Sequence, residues 1–150
     1  MKFRISSVPI AREGLRQALR NPACGALVQF EGWVRNINEG RAVVMLEYEV
    51  YRPLAVSEGE RILAEAAQRF GIEDAACVHR EGLLELGEVA VLAAAVAAHR
   101  EQAFQACRYI IDEVKQRLPI WKKEHYADGQ AHWVRCSHGA NAGHGAGQPH

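Results

Sequence analysis

The sequence predicts an α+β fold in which a largely antiparallel sheet is combined with three helices. The predicted elements follow the order βα-ββ-α-ββ-α-β, and most consecutive strands are joined by short connections. Antiparallel strands can be joined by tight turns, whereas parallel strands need a long crossover that is usually helical. The length of 150 residues suits one domain with its own hydrophobic core.

In the first half of the chain, alternating polar and apolar residues predict three strands. A first helix is expected to begin near Pro9 and to end at Asn21-Pro22. The segment Ser57-Glu58-Gly59-Glu60 has the form of a capping box, so the second helix is expected to begin there and to end at Gly71. The predicted strands cover residues 2–6, 25–35 and 42–51, with a polar loop at 36–41.

The second half of the chain predicts two further strands, a long helix and a short last strand. The strands cover residues 75–81 and 88–97, and the second of them is apolar on both faces, as expected for a covered central strand. The long helix begins at Arg100 and is stopped by Pro119, and the last strand covers about 132–136. Residues 1–136 therefore form the predicted domain. The Gly-, Ala- and His-rich segment 137–150 is predicted to be a disordered tail.

Composition excludes several classes of protein. Eighteen basic residues balance eighteen acidic ones, so overall charge indicates neither a nucleic-acid nor a membrane partner. The N-terminal segment lacks an apolar core long enough for a signal peptide, which predicts a cytoplasmic protein. The four cysteines form no C-x-x-C pair and the tail histidines match no ligand spacing, so no metal site is predicted.

Two segments at the ends of predicted strands carry residues that suit the binding of a small anion. In Gly32-Trp33-Val34-Arg35-Asn36 a strand ends in an arginine, and a glycine inside a strand often marks the close approach of another backbone or of a ligand. His99-Arg100 stands between a strand and a helix, where free N–H groups attract anions. Plain structural roles are the alternatives: a solvated arginine at a sheet edge, which the first segment alone favours, and a histidine that caps a strand.

Two more segments flank Pro119. Lys115 shares a helical row with Cys107 and Ile111, so it lies at the rim of the buried stripe, where the pKa of a lysine can be lowered. Trp121-Lys122-Lys123-Glu124 places an indole beside two amines, which suits a flat heterocycle that carries a phosphate. The alternatives are a lysine with its head in solvent and a tryptophan in the core beside solvated lysines. These patterns alone predict a basic, partly apolar pocket for a small phosphorylated or carboxylated ligand.

Between about residues 25 and 135, the chain resembles the large subunit of molybdopterin synthase, the MoaE family. Each motif alone is weakly specific, but five of them occur in order and with matching spacing. The motifs are Phe30-x-Gly32-x-Val34-Arg35-Asn36, Leu46-Glu47-Tyr48-Glu49-x-Tyr51, His79-Arg80-x-Gly82, His99-Arg100-x-x-Ala103-Phe104 and Lys115-x-x-x-Pro119-Ile120-Trp121-Lys122-Lys123-Glu124.

The resemblance implies a function and its partners. The family transfers sulfur from a small ubiquitin-like subunit, whose C-terminal Gly-Gly ends in a thiocarboxylate, to cyclic pyranopterin monophosphate, which forms the dithiolene of molybdopterin. It implies a hammerhead-type α/β fold and a homodimer within a heterotetramer. It implies no resident cofactor or metal, because the sulfur arrives on the partner.

The resemblance also implies roles for individual residues. Lys115 and Lys122 are the implied catalytic residues, and Lys115 is expected beside the C-terminus of the carrier. Trp33 departs from relatives that have a basic or small residue there, and Arg135 is the candidate for a contribution across the dimer. The implied substrate-binding set is Trp33, Val34, Arg35, His99, Arg100, Lys115, Lys122, Lys123 and Glu124.

Two other functions compete with sulfur transfer. The first is a non-catalytic module that binds a ubiquitin-like tail or a phosphorylated small molecule. A module of this kind does not need His99, Lys115 and Lys122 together. The second is RNA binding through residues 115–123, which is disfavoured because the basic residues are few and interleaved with acidic ones.

Overall fold

The structure, a computed structural model, describes residues 1–136, and the predicted tail at 137–150 lies outside the described residues. The described part contains three helices and nine strands, which confirms the α+β prediction. None of these helices combines the length and the apolar character that crossing a bilayer requires. The strands are β1 Lys2–Ser6, β2 Ala26–Trp33, β3 Ile37–Asn38, β4 Arg41–Val50, β5 Asp74–Arg80, β6 Gly82–Glu85, β7 Val89–Ala97, β8 Ile120–Tyr126 and β9 Ala131–Arg135, and the helices are α1 Arg12–Ala18, α2 Arg52–Phe70 and α3 Arg100–Arg117.

The first sheet has the strand order β1-β5-β7-β2, in which β1 and β5 are parallel and the other pairs are antiparallel. β7 lies inside this sheet and is buried along almost its whole length, as its run of alanines and valines predicts. The main core lies between one face of this sheet and helices α2 and α3, and its largest fully buried members include Ile62, Leu63 and Ile110. β2 forms one edge of the sheet.

The second sheet is antiparallel, with the order β3-β4-β8-β9 and with β6 also paired to β4. Three of these strands are absent from the sequence prediction, which placed loops at 36–41 and 82–87 and no strand directly after Pro119. β3 and β6 are short, and among the described strands each pairs with β4 alone. β8 carries the polar residues Lys122 and Glu124 at inward positions, so the apolar alternation that would have indicated a strand is lost.

The start predicted for the second helix is wrong. α2 begins at Arg52, with Pro53 in its first turn, so Ser57 to Glu60 lies inside the helix and not at its cap. A proline is tolerated in the first turn because the N–H groups there have no intrahelical partner. Gly59 is buried inside the helix. A glycine is needed there because a Cβ would overlap the ring of Phe3. The predicted end at Gly71 is confirmed, with φ of 66°.

Candidate functional site

A cavity of about 250 Å³ lies where the two sheets meet the last turn of α3. Apolar side chains, including Ile111 and Val114 of α3, form part of its wall. Basic, acidic and phenolic groups converge on the remainder of the wall, so the cavity combines apolar contact with charge. Its polar lining includes Arg35, Asn38, Tyr48, Lys115, Lys122 and Glu124.

Lys115 enters the cavity from the last turn of α3. Cys107 and Ile111, which precede it in the same helical row, are buried, which agrees with the predicted position of Lys115 at the rim of the apolar stripe. By its accessible surface Lys115 is an exposed residue, but the protein atoms around its amine partly desolvate it. This desolvation lowers the pKa of Lys115 against an opposing effect of the Cys136 thiol, and the positive charge of Lys122 lowers it further.

Lys122 and Lys123 point in opposite directions because successive side chains of a strand alternate between its faces. Lys122 lines the cavity together with Glu124. The Nζ of Lys123 instead lies 5.5 Å from the ring centroid of Trp133, on the neighbouring strand β9. Trp121 is likewise outside the cavity lining. The expected pairing of both lysines with the Trp121 indole around one ligand is therefore corrected, and Lys122 alone of the two lysines lines the cavity.

Glu124 is a buried carboxylate, with 3% of its surface exposed. The Nδ2 atom of Asn38 donates to both of its oxygens, at 3.0 and 2.9 Å, and the Tyr126 hydroxyl donates to Oε1 at 2.5 Å. The Nζ of Lys122 lies 3.5 Å from Oε2. Burial by itself raises the pKa of Glu124, but Tyr126, Lys122 and Asn38 together hold this pKa below its usual value. Glu124 is therefore ionised at neutral pH.

Trp33, Tyr48 and His79 provide the aromatic part of the lining. The Tyr48 and His79 rings meet edge to face, with centroids 4.9 Å apart. The Nδ1 of His79 lies 2.8 Å from the carbonyl oxygen of Arg80. Burial lowers the pKa of His79 to about 4, although this hydrogen bond opposes the shift. His79 is therefore neutral at neutral pH, with Nδ1–H donating and Nε2 left as an acceptor.

His79, Tyr48 and Asn38 were missed by residue-level reasoning. His79 and Tyr48 lie inside two of the motifs that carry the resemblance to the MoaE family, so a signal for them was present in the sequence. Asn38 gave no signal because it lies in a segment that reads as a polar loop, and only the pairing of β3 with β4 brings it to Glu124.

Arg35 and Val34 follow β2 but have different surroundings. Arg35 lines the cavity, as predicted. Val34 is 3% exposed and packs in a core cluster, and its N–H donates to the carbonyl of Glu88 at 3.0 Å. The Gly32 position reflects the close approach of a strand neighbour, because a Cβ there would lie 2.9 Å from Cγ1 of Val91. Val34 is thus a core residue and does not line the cavity.

His99 and Arg100 lie at the opposite end of α3 from Lys115. His99 is the residue before the first turn of the helix, and both residues are exposed. With a rise of about 1.5 Å per residue, the helix separates Arg100 from Lys115 by roughly 22 Å. Within one chain, His99 and Arg100 therefore do not line the cavity that Lys115 enters, and their role in binding stays a prediction. Arg135 ends β9, where its backbone is paired with Trp121.

A second, more open cavity of about 730 Å³ runs between β2 and α3 and reaches Lys115. Its apolar lining includes Val28, Phe30, Phe104 and Ile111, of which Phe104 is 60% exposed. We call it the β2–α3 groove. Because β2 is an edge strand, this groove lies beside backbone groups that an added strand could pair with. Within residues 1–136, no three His, Cys, Asp or Glu side chains are grouped so that they could hold a metal ion.

The model of the MoaE protein family matches residues 5–117, a range that includes Lys115 and ends before Lys122. The chain belongs to the MoaE family. It is 44% identical over 115 residues to the molybdopterin synthase catalytic subunit of Thermoplasma volcanium. The aligned segment covers 77% of this chain and 84% of that protein.

Solved structures agree with this membership. Molybdopterin synthase from Staphylococcus aureus superposes with a TM-score of 0.81 at 35% identity, covering 89% of this chain and 95% of that one. A complex of subunits 1 and 2 of the molybdopterin-converting factor from Helicobacter pylori shares the fold, with a TM-score of 0.72 at 20% identity, and covers 89% and 90% of the two chains.

Proposed function

We propose that this chain is the catalytic subunit of a molybdopterin synthase. In this role it moves sulfur from a thiocarboxylated ubiquitin-like carrier to cyclic pyranopterin monophosphate. The observation that carries the proposal is the convergence of Lys115 and Lys122 on one cavity with an apolar and aromatic wall. Cationic groups suit the cyclic phosphate, and the aromatic wall suits the flat pterin.

The two lysines have different proposed roles. Lys122 touches a carboxylate that fixes its ammonium group, so it suits the binding of an anion. Lys115 is desolvated and lies near another cation, and both effects favour its neutral amine. A neutral amine can accept a proton or attack an acyl carbon, which an ammonium group cannot do. Lys115 is therefore the proposed acid–base or acyl-accepting group.

In the proposed reaction, the thiocarboxylate sulfur forms a C–S bond to the pterin side chain as an oxygen substituent leaves. The acyl–sulfur bond is then cleaved by water, or by the amine of Lys115 followed by water. The carrier departs as a carboxylate and the sulfur stays on the pterin. Two such transfers complete the dithiolene. The reaction needs no resident metal or cofactor, since the carrier supplies the sulfur nucleophile.

The β2–α3 groove is the proposed path of the carrier tail. It is apolar, runs beside an edge strand and ends at Lys115. An extended tail can pair with an edge strand through main-chain hydrogen bonds while its side chains occupy the groove. The H. pylori structure is itself a complex of two subunits of the converting factor. Phe30 and Phe104 are therefore proposed to contact the tail.

The proposed assembly is a homodimer of this chain with one carrier on each protomer. Its support is the position of His99 and Arg100, which are exposed and about 22 Å along α3 from Lys115. A second copy could bring this pair to the cavity, which a single chain does not do. Arg135 and Lys123 remain predicted contributors without such support, and the cytoplasmic location remains a prediction.

The test is to combine the protein with a thiocarboxylated carrier and cyclic pyranopterin monophosphate and to measure molybdopterin. We expect the wild type to form product and Lys115→Ala to lose at least about 100-fold in rate, as expected when a reacting group is removed. Lys2→Ala, which removes an exposed lysine of β1 that lines neither cavity, is the matched control and should keep the wild-type activity. Carrier binding without product in the wild type would instead favour a non-catalytic binding module.

A further inference from the structure

Glu124, which lines the cavity, is held from several sides. Strand alternation puts Lys122, Glu124 and Tyr126 on one face of β8, and Asn38 reaches the same carboxylate from β3. The amide of Asn38 donates to both carboxylate oxygens, so the plane of the carboxylate is fixed and not only its position. A carboxylate buried to this degree requires such donors, because it has lost its water.

Asn38 and Tyr126 are themselves held in place. The hairpin between β3 and β4 turns at Glu39 and Gly40, with φ of 51° and 80°. Positive φ at both central residues is the conformation of the tightest hairpin turns, and it is unfavourable for a residue such as Glu39. The guanidinium of Arg41, the next residue, lies 3.6 Å from the centroid of the Tyr126 ring. One turn therefore positions both donors.

We propose that Asn38 and Tyr126 are positioning residues, which fix the Glu124 carboxylate so that Glu124 holds the Lys122 ammonium group in the cavity. The contact between Lys122 and Glu124 is a single one of 3.5 Å, and a lysine has many rotamers. The orientation of Lys122 therefore depends on a carboxylate that cannot rotate. This inference rests on the proposed function, because it concerns how the site for sulfur transfer is held.

The same cluster connects to the other charged groups of the cavity. The positive charge of Lys122 lowers the pKa of Lys115, and the negative charge of Glu124 contributes to the raised pKa of Tyr48 after burial. Loss of either donor to Glu124 removes an interaction that favours its ionised form, while its burial remains. Protonation of Glu124 would then occur at higher pH and would release Lys122. The titratable or charged groups around this cluster are Arg35, Glu39, Arg41, Tyr48, His79, Lys115, His132 and Cys136.

The first test is the pH profile of kcat/KM in the complete assay with carrier and pterin. We expect Tyr126→Phe and Asn38→Leu each to lower the rate about tenfold at neutral pH, the size expected for a hydrogen bond to a charged group. We also expect the acid limb to move to higher pH. In a Glu124→Gln background the same changes should have little further effect, because both act through that carboxylate.

Tyr109→Phe is the matched control. The Tyr109 hydroxyl donates to Oε1 of Glu65 at 2.6 Å, so this variant loses the same kind of bond away from the cavity. Its pH profile should match that of the wild type. If Tyr126→Phe and Asn38→Leu change only the melting temperature, with the wild-type profile kept, the two residues are merely structural and the proposal is wrong.

The second test needs neither carrier nor pterin. The chain has four lysines, at positions 2, 115, 122 and 123, so ¹³C-methylated lysines can be assigned by substitution and followed by NMR. We expect the Lys122 signal to shift and sharpen in Tyr126→Phe, and the Lys2 signal to stay unchanged. An unchanged Lys122 signal contradicts the proposal. If the wild type made no molybdopterin, the proposed function would fail while this measurement still decided whether Lys122 is held.

Discussion

Lys115 and Lys122 reach the same cavity from different elements. Their surroundings differ in the charged group that each lysine has nearest to it. Lys122 contacts the Glu124 carboxylate at 3.5 Å. Lys115 is exposed but partly desolvated, and the charge of Lys122 repels its ammonium form. A lysine of lowered pKa beside a second lysine that contacts a carboxylate suits a site that needs both an acid or base and an anion-binding group. Lys122 therefore influences the protonation, and so the reactivity, of Lys115.

This arrangement predicts the pH dependence of Lys115 reactivity. A lowered pKa means that the neutral amine is present at lower pH than in an ordinary lysine. Acylation of Lys115 by an amine-directed reagent, followed by mass spectrometry, should therefore have its midpoint below the usual lysine pKa of 10.5. In Lys122→Gln the midpoint should rise, since a neighbouring positive charge has been removed. A midpoint that is unchanged or lower in this variant contradicts the electrostatic explanation.

At the scale of elements, helix α2 packs closely against β1 at one small residue, Gly59. Gly59 lies against the Phe3 ring, which is 2% exposed and cannot move away without opening the core. Alanine normally stabilises a helix relative to glycine by about 1 kcal/mol. At this position the added methyl group would instead force overpacking.

We therefore expect Gly59→Ala to lower the free energy of unfolding by about 1–3 kcal/mol, the usual cost of overpacking. Urea denaturation measures this change. Gly14→Ala in α1 is the control, because nothing lies within 4 Å of a Cβ built there. That variant should be neutral or slightly stabilising. Equal effects of the two substitutions would show that the Phe3 contact does not constrain α2.

Helices α2 and α3 are joined by a charged cluster around Arg117. Its guanidinium contacts Glu58 and Glu65 across the helix interface, and Glu113 on its own helix. Hydrogen bonds from Arg117 and then from Tyr109 lower the pKa of Glu65 to about 2, from a usual value of 4.5. The interactions that lower this pKa stabilise the folded state above about pH 4.5, where Glu65 is ionised. This stabilisation is lost as the pH falls towards 2 and Glu65 becomes protonated.

Removal of the arginine should therefore cost stability in a pH-dependent way. We expect Arg117→Met to lower the free energy of unfolding by roughly 1–2 kcal/mol at pH 7, with a smaller difference from wild type near pH 3. Arg108→Met, which breaks an exposed pair with Asp112 on one helix, should change stability by less than about 0.5 kcal/mol. A pH-independent loss in Arg117→Met would indicate lost packing in place of lost charge interactions.

At the scale of the whole molecule, the proposed role of His99 and Arg100 requires a site that is shared by two chains. Both residues are exposed at the start of α3, and Lys115 is in its last turn. If the proposed dimer completes each cavity with the partner's His99-Arg100 pair, two defective chains can complement one another. A dimer whose cavities are each formed by one chain cannot do so.

Co-expression of Lys115→Ala and Arg100→Ala chains with different tags would allow heterodimers to be purified. Under the shared-site proposal, one of the two sites is intact, and about half of the wild-type activity should be recovered. Each homodimeric variant should be inactive or nearly so in the same assay. No recovery in the heterodimer would show that Arg100 acts within its own chain or has no part in the reaction.

The sequence was informative wherever side-chain chemistry and periodicity agreed. The row of Cys107, Ile111 and Lys115 in α3 and the covered strand β7 were predictable from local pattern. β8 was not, because its inward positions are filled by Lys122 and Glu124, which read as solvent-facing residues. A buried polar strand is stable only when its partners are supplied by distant segments, and a local pattern does not contain those partners.

The sequence by itself therefore determined the α+β class, the main helices and strands, and the presence of a basic segment around Pro119. Only the tertiary structure decided which of the basic residues line the same cavity. Lys122 and Lys123 were separated by strand alternation, His99 and Arg100 were placed at the far end of α3, and Asn38 was brought to Glu124 by a hairpin. The physical reason is that side-chain identity is local, whereas convergence on a cavity depends on pairing between segments that are distant in the chain.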